Sequence, residues 1–173
     1  MARKQSPEPD AVDDILAQWA RECPDLDVSP LAVLGRLHRT YLRYQSAIGH
    51  VFDRHDINMA SFDVLSALRR SGKPYRMTSG QLAESSLVTT GGITLRIDRL
   101  EKAGLVRRER DADDRRIVYA ELTDAGLDLI DTVARDHFAN EVRMLAGLSE
   151  TERAELAVLL RRLEESIVRG ADG

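Results

Sequence analysis

The stretch Leu105–Leu122, LVRRERDADDRRIVYAEL, decides the fold of this 173-residue chain. Two short runs of strand-compatible residues, 105–110 and 117–122, are joined by a polar turn at Asp111–Asp114, and this pattern predicts a β-hairpin. Within RRERDADDRR, residues 107–116, nine of the ten residues are charged and five are arginines. Such a run is ordinarily a solvated loop, so its neighbours decide whether it contacts a polyanion.

Upstream of the hairpin, the sequence predicts two helices separated by a turn. Thr78 and Gln81 have the spacing of a capping box, which starts a short helix. After a turn, Thr89 or Thr90 can cap a longer helix that ends before Gly104. A helix-turn-helix followed at once by a hairpin is the winged-helix arrangement, in which the second helix enters the DNA major groove.

The second helix of this pair has one apolar face and one face compatible with DNA. Ile93, Ile97 and Leu100 share the side that we expect to pack on the domain. The other side offers a glycine near phosphates, a threonine for a base edge and basic residues for the phosphate backbone. The residues expected to bind DNA are Ser79, Thr89, Thr90, Gly91, Thr94, Arg99, Arg115 and Arg116.

The distribution of charge supports a polyanionic partner, although the chain as a whole carries −4. Between Arg69 and Arg116 there are 12 Lys and Arg against 7 Asp and Glu, a net +5, which leaves −9 for the remaining residues. A basic middle between acidic ends therefore favours double-stranded DNA as the partner of the hairpin region.

Amphipathic patterns predict further helices on both sides of this lobe. The first carries Trp19 on its apolar stripe and ends before Pro24. We expect a mobile tail over residues 1–10 and a single domain over 11–173, divided into 11–55, 56–122 and 123–173. The start signals of the other helices are Ser29-Pro30, Asn58, Thr123 and Ser149 with Glu152.

The composition excludes several classes of protein. No apolar run is long enough to span a membrane and the first ten residues lack a signal-peptide core, so we expect a soluble cytoplasmic protein without a membrane partner. Cys23 is the only cysteine, which excludes an intrachain disulfide. The four histidines lack metal-ligand spacing, and no nucleophile elbow or phosphate-binding glycine loop is present. We therefore expect no enzyme, metal or cofactor.

The longer stretch LEKAGLVRRERDADDRRIVYAELTDAG, residues 100–126, resembles the signature of the MarR family of bacterial regulators. That signature has a wing of approximately D-P-x-D-R-R and a following strand that ends in L-T-x-x-G; Ala112 stands where the family often has proline. The resemblance implies a mainly α fold with a small β-hairpin, a winged helix-turn-helix with N- and C-terminal dimerisation helices. It implies that Asp114 orients the wing, Arg116 enters the minor groove and Arg115 lies on the backbone.

The family resemblance also implies a homodimer on a palindromic operator. Two recognition helices in such a dimer lie about 34–36 Å apart, roughly one turn of DNA. Repression is the usual mode of action in the family.

Arg96 departs from the simple face pattern, since it lies toward the packed side of the second helix. An inward arginine needs a carboxylate or a ligand anion to offset its desolvation. Asp63, on the third predicted helix, is a plausible partner. Two interpretations stay open: a structural Asp–Arg pair or part of an anion site. Two interpretations are also open for Trp19: it packs in the core or a dimer interface, or it contacts a ligand.

An extra N-terminal helix with a tryptophan resembles the urate-responsive branch of the family. The ligand-binding residues of that branch are matched in type, order and element by Trp19, Asp63, Arg96 and Arg108. The resemblance implies a repressor released by urate or a related purine anion, which an arginine can pair with and an indole can stack on.

Other interpretations of the signal and of the partner stay open. One is another planar or carboxylate anion, such as a phenolic acid or trans-aconitate. Another is an oxidant sensed through Cys23, although its place on the apolar stripe favours a packed, inert thiol. A winged helix that binds only protein is a further alternative.

Overall fold

The computed structural model describes residues 8–85 and 92–171, which contain seven helices and three strands. The chain divides into two compact units, Met1–His50 and Val51–Gly173. The single domain expected over 11–173 stays a prediction. The elements are α1 (Ala11–Glu22), α2 (Leu31–Asp53), α3 (Met59–Arg70), β1 (Arg76–Thr78), α4 (Ser79–Ser85), α5 (Ile93–Lys102), β2 (Val106–Arg110), β3 (Val118–Leu122), α6 (Asp124–Met144) and α7 (Glu150–Ala171).

The first unit is organised around the start of α1. Oδ1 of Asp10 accepts hydrogen bonds from the backbone N–H groups of Val12 and Asp13, at 2.7 and 3.2 Å. Arg36 of α2 pairs with both aspartates, at 3.0 Å from Oδ2 of Asp10 and 2.8 Å from Oδ1 of Asp13. The carboxylates that cap α1 therefore also attach it to α2.

Most of the predicted apolar stripe of α1 is exposed. Val12 is buried, whereas Ile15 and Trp19 are 39% and 43% exposed. Cys23 is exposed as well. The expectation of a packed thiol is wrong for the single chain, because Cys23 is the C-cap residue, where the helix has already ended.

Four predicted helix starts in the second unit are confirmed. At α4, the N–H of Gln81 donates to Oγ1 of Thr78, at 3.2 Å, and the N–H of Thr78 donates to Oε1 of Gln81, at 2.9 Å. These bonds form the predicted capping box. The other three helices are capped by a side-chain oxygen that accepts from the N–H three residues ahead: Asn58 for α3, Thr123 for α6 and Ser149 for α7.

The start of α5 differs from the prediction. Its N-cap is Gly92, with a φ of 89° in the left-handed region that favours glycine, and no side chain caps it. The helix therefore begins at Ile93, because a residue with positive φ cannot continue an α-helix backward. Thr89 and Thr90, expected as caps, lie outside the described residues, and so does Gly91.

The predicted hairpin forms two strands of a three-stranded antiparallel sheet with the order β1-β3-β2. In the hairpin, Val106 lies opposite Leu122 and Arg110 lies opposite Val118. No pattern in the sequence predicts β1, because three residues are too short to show an alternation of apolar and polar side chains. β1 pairs with the edge of β3 that the hairpin leaves open, so β3 is the central strand and β2 lies at the opposite edge of the sheet. We call the hairpin of β2, β3 and the turn between them the wing.

The core of the second unit is apolar and draws on the end of α2, on α3, α4, α5 and α6, and on the sheet. The buried side chains of α3 include the predicted Phe62, Leu65 and Leu68. Within the described residues, no helix is long and apolar enough to cross a membrane. The other buried apolar residues of this unit are Val51, Phe52, Val64, Ala67, Leu82, Ile93, Ile97, Leu100, Val106, Ala120, Leu122, Ile130 and Val133.

The C-terminal helices expose many large apolar side chains. On α6 and α7 these side chains are between 36% and 63% exposed. A single chain therefore leaves apolar helix faces uncovered, which is typical of a protein interface. The residues are Phe138, Val142, Met144, Leu156, Val158, Leu159, Leu160, Ile167 and Val168.

Candidate DNA-binding interface

The two faces of α5 are as predicted. Ile93, Ile97 and Leu100 are 5%, 2% and 3% exposed, so they attach the helix to the core. On the other side Thr94 is exposed, and Leu95 is 54% exposed. Arg99 and Lys102 are exposed with them. This combination of a methyl-bearing hydroxyl, an apolar side chain and cations suits a DNA groove.

Ser79 lies beside this face. It is the first residue of α4, and it lines an open cleft together with Thr94, Leu95 and Asp98 of α5. The structure thus brings Ser79 and Thr94, both predicted to bind DNA, to one surface. The C-terminal end of α4 is held by Arg70, whose Nη2 donates to the carbonyl oxygen of Ser85, at 3.2 Å.

Asp111 shapes the tip of the wing. Its Oδ1 accepts hydrogen bonds from the N–H groups of Asp113 and Asp114, both at 3.0 Å. These hydrogen bonds hold the pKa of Asp111 below its ordinary value, and the bond from Asp114 is the largest cause. The N–H of Ile117 donates to the carbonyl oxygen of Asp114, at 2.9 Å, which closes the turn. Asp111 is not among the predicted site residues, although an aspartate at the start of a polar turn is a signal for this geometry.

Asp114 holds Arg116 in a bidentate ion pair. Nε of Arg116 lies 3.0 Å from Oδ1 of Asp114, and Nη2 lies 2.9 Å from Oδ2. The N–H of Arg116 also donates to Oδ1, at 3.0 Å. The guanidinium lowers the pKa of Asp114, and the Arg116 side chain stays 91% exposed. Asp114 therefore orients an arginine that stays exposed in the turn between β2 and β3, and Arg115 is exposed next to it in the chain. The expected roles of Asp114, Arg115 and Arg116 in DNA binding stay predictions.

The sheet beneath the tip is braced by basic side chains. Arg107 Nη2 lies 2.6 Å from Oε1 of Glu121, its cross-strand partner. The guanidinium of Arg76 lies over the ring of Tyr119, 4.4 Å from its centroid, and this cation–π contact joins β1 to β3. The arginines of the charged run therefore differ in their contacts: Arg107 pairs with a residue of the neighbouring strand, whereas Arg116 is exposed at the tip.

Arg108 points to α5. Its guanidinium forms ion pairs with Asp98 and Glu101 on that helix. The hydrogen bond to Asp98 is the largest cause of the raised pKa of Arg108. Arg108 was predicted to contact an effector. In the structure, its side chain links the wing to α5, the second helix of the helix-turn-helix, which we call the recognition helix.

The other two predicted effector residues of this unit lie on helices that pack against each other, Asp63 on α3 and Arg96 on α5. Asp63 is 3% exposed, and Nη1 of Arg96 is buried without a hydrogen-bond partner among the described residues. Within residues 8–85 and 92–171, no ion pair joins Arg96 to Asp63. Trp19, the fourth predicted residue, belongs to the first unit, where it is partly exposed.

A helix pair whose second member exposes Thr94, Leu95 and Arg99, followed by a hairpin that presents Arg116 at its tip, defines a winged helix-turn-helix regulator. A domain of the MarR family matches residues 55–117. The chain is 41% identical to the HTH-type transcriptional regulator PecS of Dickeya dadantii over 157 residues, which cover 91% of this chain and 95% of PecS. The chain belongs to the MarR family, and it is a transcriptional regulator rather than an enzyme.

Solved structures agree with this assignment. BpsR of Bordetella bronchiseptica, whose DNA binding is regulated by 6-hydroxynicotinic acid, matches with a TM-score of 0.67 and 25% identity, over 76% of this chain and 92% of that chain. A mutant MarR of E. coli in complex with operator DNA matches with a TM-score of 0.67 and 25% identity, over 80% of this chain and 99% of that chain. The predicted fold class is confirmed.

Proposed function

We propose that the protein is a homodimeric repressor that binds a palindromic operator and is released by urate or a related purine anion. The observation that carries the DNA-binding part is the ion pair of Asp114 with Arg116, which holds a fully charged arginine at the exposed wing tip. Arg116 then enters the minor groove while Thr94 and Arg99 of α5 face the major groove. The similar MarR of E. coli, which forms a complex with operator DNA, supports this placement.

The apolar faces of α6 and α7 support the proposed dimer. Phe138, Val142, Leu159 and Val168 are each more than half exposed. A second copy of the chain is the occupant that these faces favour, because two copies also supply two recognition helices for a palindrome. Sedimentation velocity should give twice the mass of the chain, and a monomer at micromolar concentration would contradict the proposal.

The effector part rests on Arg96. Its Nη1 is buried and has no hydrogen-bond partner among residues 8–85 and 92–171. Burial of such a group is costly, and a bound anion would offset that cost. Because Arg96 belongs to the recognition helix, an anion that binds it acts directly on the element that reads DNA. Urate is a planar anion near neutral pH, and 6-hydroxynicotinic acid, which regulates BpsR, is another planar acid. For release, urate must bind the DNA-incompetent arrangement more tightly than the competent one.

The test uses a duplex selected by the purified protein from a random-sequence pool, with fluorescence anisotropy as the readout. We expect urate to release the duplex, while adenine, a neutral purine, does not at equal concentration. Release by phenolic acids or trans-aconitate, but not by urate, would identify a different anion as the effector. If purines shift the melting temperature but never release DNA, the effector proposal is wrong.

Two variants separate the DNA and effector sites. Trp19→Phe should leave the Kd for the duplex near normal and weaken the response to urate about fivefold or more. Arg116→Ala should weaken DNA binding while calorimetry still detects urate. Equal effects of both substitutions on DNA affinity would contradict the assignment.

A second sensor is favoured by the exposure of Cys23. An exposed thiol is accessible to oxidants, so peroxide would release DNA if this cysteine were the sensor. Cys23→Ser with an unaltered response to peroxide would exclude it.

A further inference from the structure

Arg108 of β2 connects the wing to α5 through two carboxylates. Its Nη2 donates to Oδ1 of Asp98, and its Nη1 donates to Oε2 of Glu101. Asp98 and Glu101 are three residues apart in a helix, so their side chains lie one above the other on the same side. We call Arg108, Asp98 and Glu101 the Arg108 clamp.

The clamp changes the charge of the helix that reads DNA. α5 carries three basic and two acidic side chains, and the two acidic ones are those held by Arg108. Carboxylates near DNA weaken binding because they repel the phosphates, most strongly at low salt. A guanidinium from the neighbouring strand offsets this repulsion and at the same time ties the helix to the wing.

The three side chains of the clamp are too exposed for their ion pairs to add much to the stability of the fold. The side chains of Arg108, Asp98 and Glu101 are 36%, 40% and 39% exposed. Ion pairs in contact with water are screened and add little to the free energy of unfolding. The consequence of the clamp therefore lies in DNA binding rather than in folding.

We propose that Arg108 is a positioning residue for DNA binding, which neutralises Asp98 and Glu101 and fixes α5 against the wing strand. This inference rests on the proposed function, in which α5 enters the major groove. Arg108 acts through the two carboxylates and does not itself contact DNA. An arginine that served effector binding alone would leave DNA affinity unaltered when no effector is present.

The test is a cycle of four proteins: the unmodified chain, Arg108→Gln, the double variant Asp98→Asn/Glu101→Gln, and the triple variant. Anisotropy with a duplex selected from a random pool gives the Kd of each over a range of salt, without effector. In the unmodified background, Arg108→Gln should raise the Kd about tenfold at low salt and less at high salt. In the double-variant background, the same substitution should change the Kd by less than about twofold.

Two controls separate the charge effect from a loss of structure. Circular dichroism should show the same melting temperature within a few degrees for all four proteins, and Arg108→Lys should recover part of the affinity. An effect of Arg108→Gln that is equally large in both backgrounds would overturn the proposal, because the arginine would then contact DNA itself. No effect in either background would overturn it too. If the unmodified chain binds no duplex in a salt-dependent manner, the proposed function fails instead.

Discussion

Replacing Gly126 by alanine should destabilise the junction between the wing and α6. A Cβ at this position would lie 2.0 Å from the carbonyl oxygen of Leu105 and 2.9 Å from its carbonyl carbon. The same carbonyl accepts a hydrogen bond from the N–H of Thr123, at 3.1 Å, and Oγ1 of Thr123 donates to the carbonyl oxygen of Gly104, at 2.8 Å. Backbone therefore surrounds the site, and no flexible side chain can move aside.

The expected loss of stability follows from these contacts. Real Cβ atoms do not approach within 3.0 Å, so α6 or the Leu105 peptide must move by about 1 Å. Overpacking of this kind costs ~1–3 kcal/mol, and weakening the Thr123 hydrogen bond adds ~1 kcal/mol, which together give ~2–4 kcal/mol. With a urea m-value of ~2 kcal/mol/M, the midpoint of unfolding should fall by ~1–2 M.

Urea unfolding followed by circular dichroism, at one fixed protein concentration, measures this change. Gly49→Ala is the matched control, because Gly49 lies inside α2 and a Cβ there meets nothing within 4 Å. That substitution should stabilise the protein by ~0.5–1 kcal/mol, since alanine favours a helix. A shift of the midpoint in the same direction for both substitutions, or a cost of Gly126→Ala under ~0.5 kcal/mol, would show that the close contact with Leu105 does not limit stability.

The remaining predictions concern the wing. Arg116→Ala should weaken binding to the selected duplex by ~1–3 kcal/mol in anisotropy titrations, and unaltered affinity would remove the wing tip from the interface. Asp114→Asn should cost less, and the double variant should match Arg116→Ala; an additive double variant would show that Asp114 acts independently of Arg116. Because backbone N–H groups lower the pKa of Asp111, its contribution to wing stability is present at neutral pH and lost as the pH falls through that lowered pKa. Carboxyl NMR should show Asp111 titrating below 3.8, and titration above that value would contradict the turn geometry.

Local signals predicted much of the fold. The Thr78 capping box, the Thr123 cap and the hairpin depend on residues three or four apart or on one turn, so the sequence contains all of their partners. The faces of α5 follow from helical spacing alone, with Ile97 buried and Leu95 exposed. β1 was missed because its three residues pair with a strand about forty positions away.

The site was only partly predictable. The ion pair of Asp114 with Arg116 joins residues two positions apart, and the family signature had already indicated that Asp114 orients the wing. The partners of Arg108 lie seven and ten residues before it, across the reversal from α5 to β2, so spacing could not select them. The family pattern favoured an effector contact for Arg108 and contained no sign of the clamp.

Periodicity, helix caps and turn residues were enough to predict the winged helix-turn-helix, the apolar and polar faces of α5 and the charge of the turn between β2 and β3. Three features depended on the packing of the folded chain: the pairing of Arg108 with α5, the lack of room for a side chain at Gly126 and the burial of Asp63. The physical reason is distance along the chain. Each of these features depends on which distant groups the packed core brings together, and no local pattern specifies that.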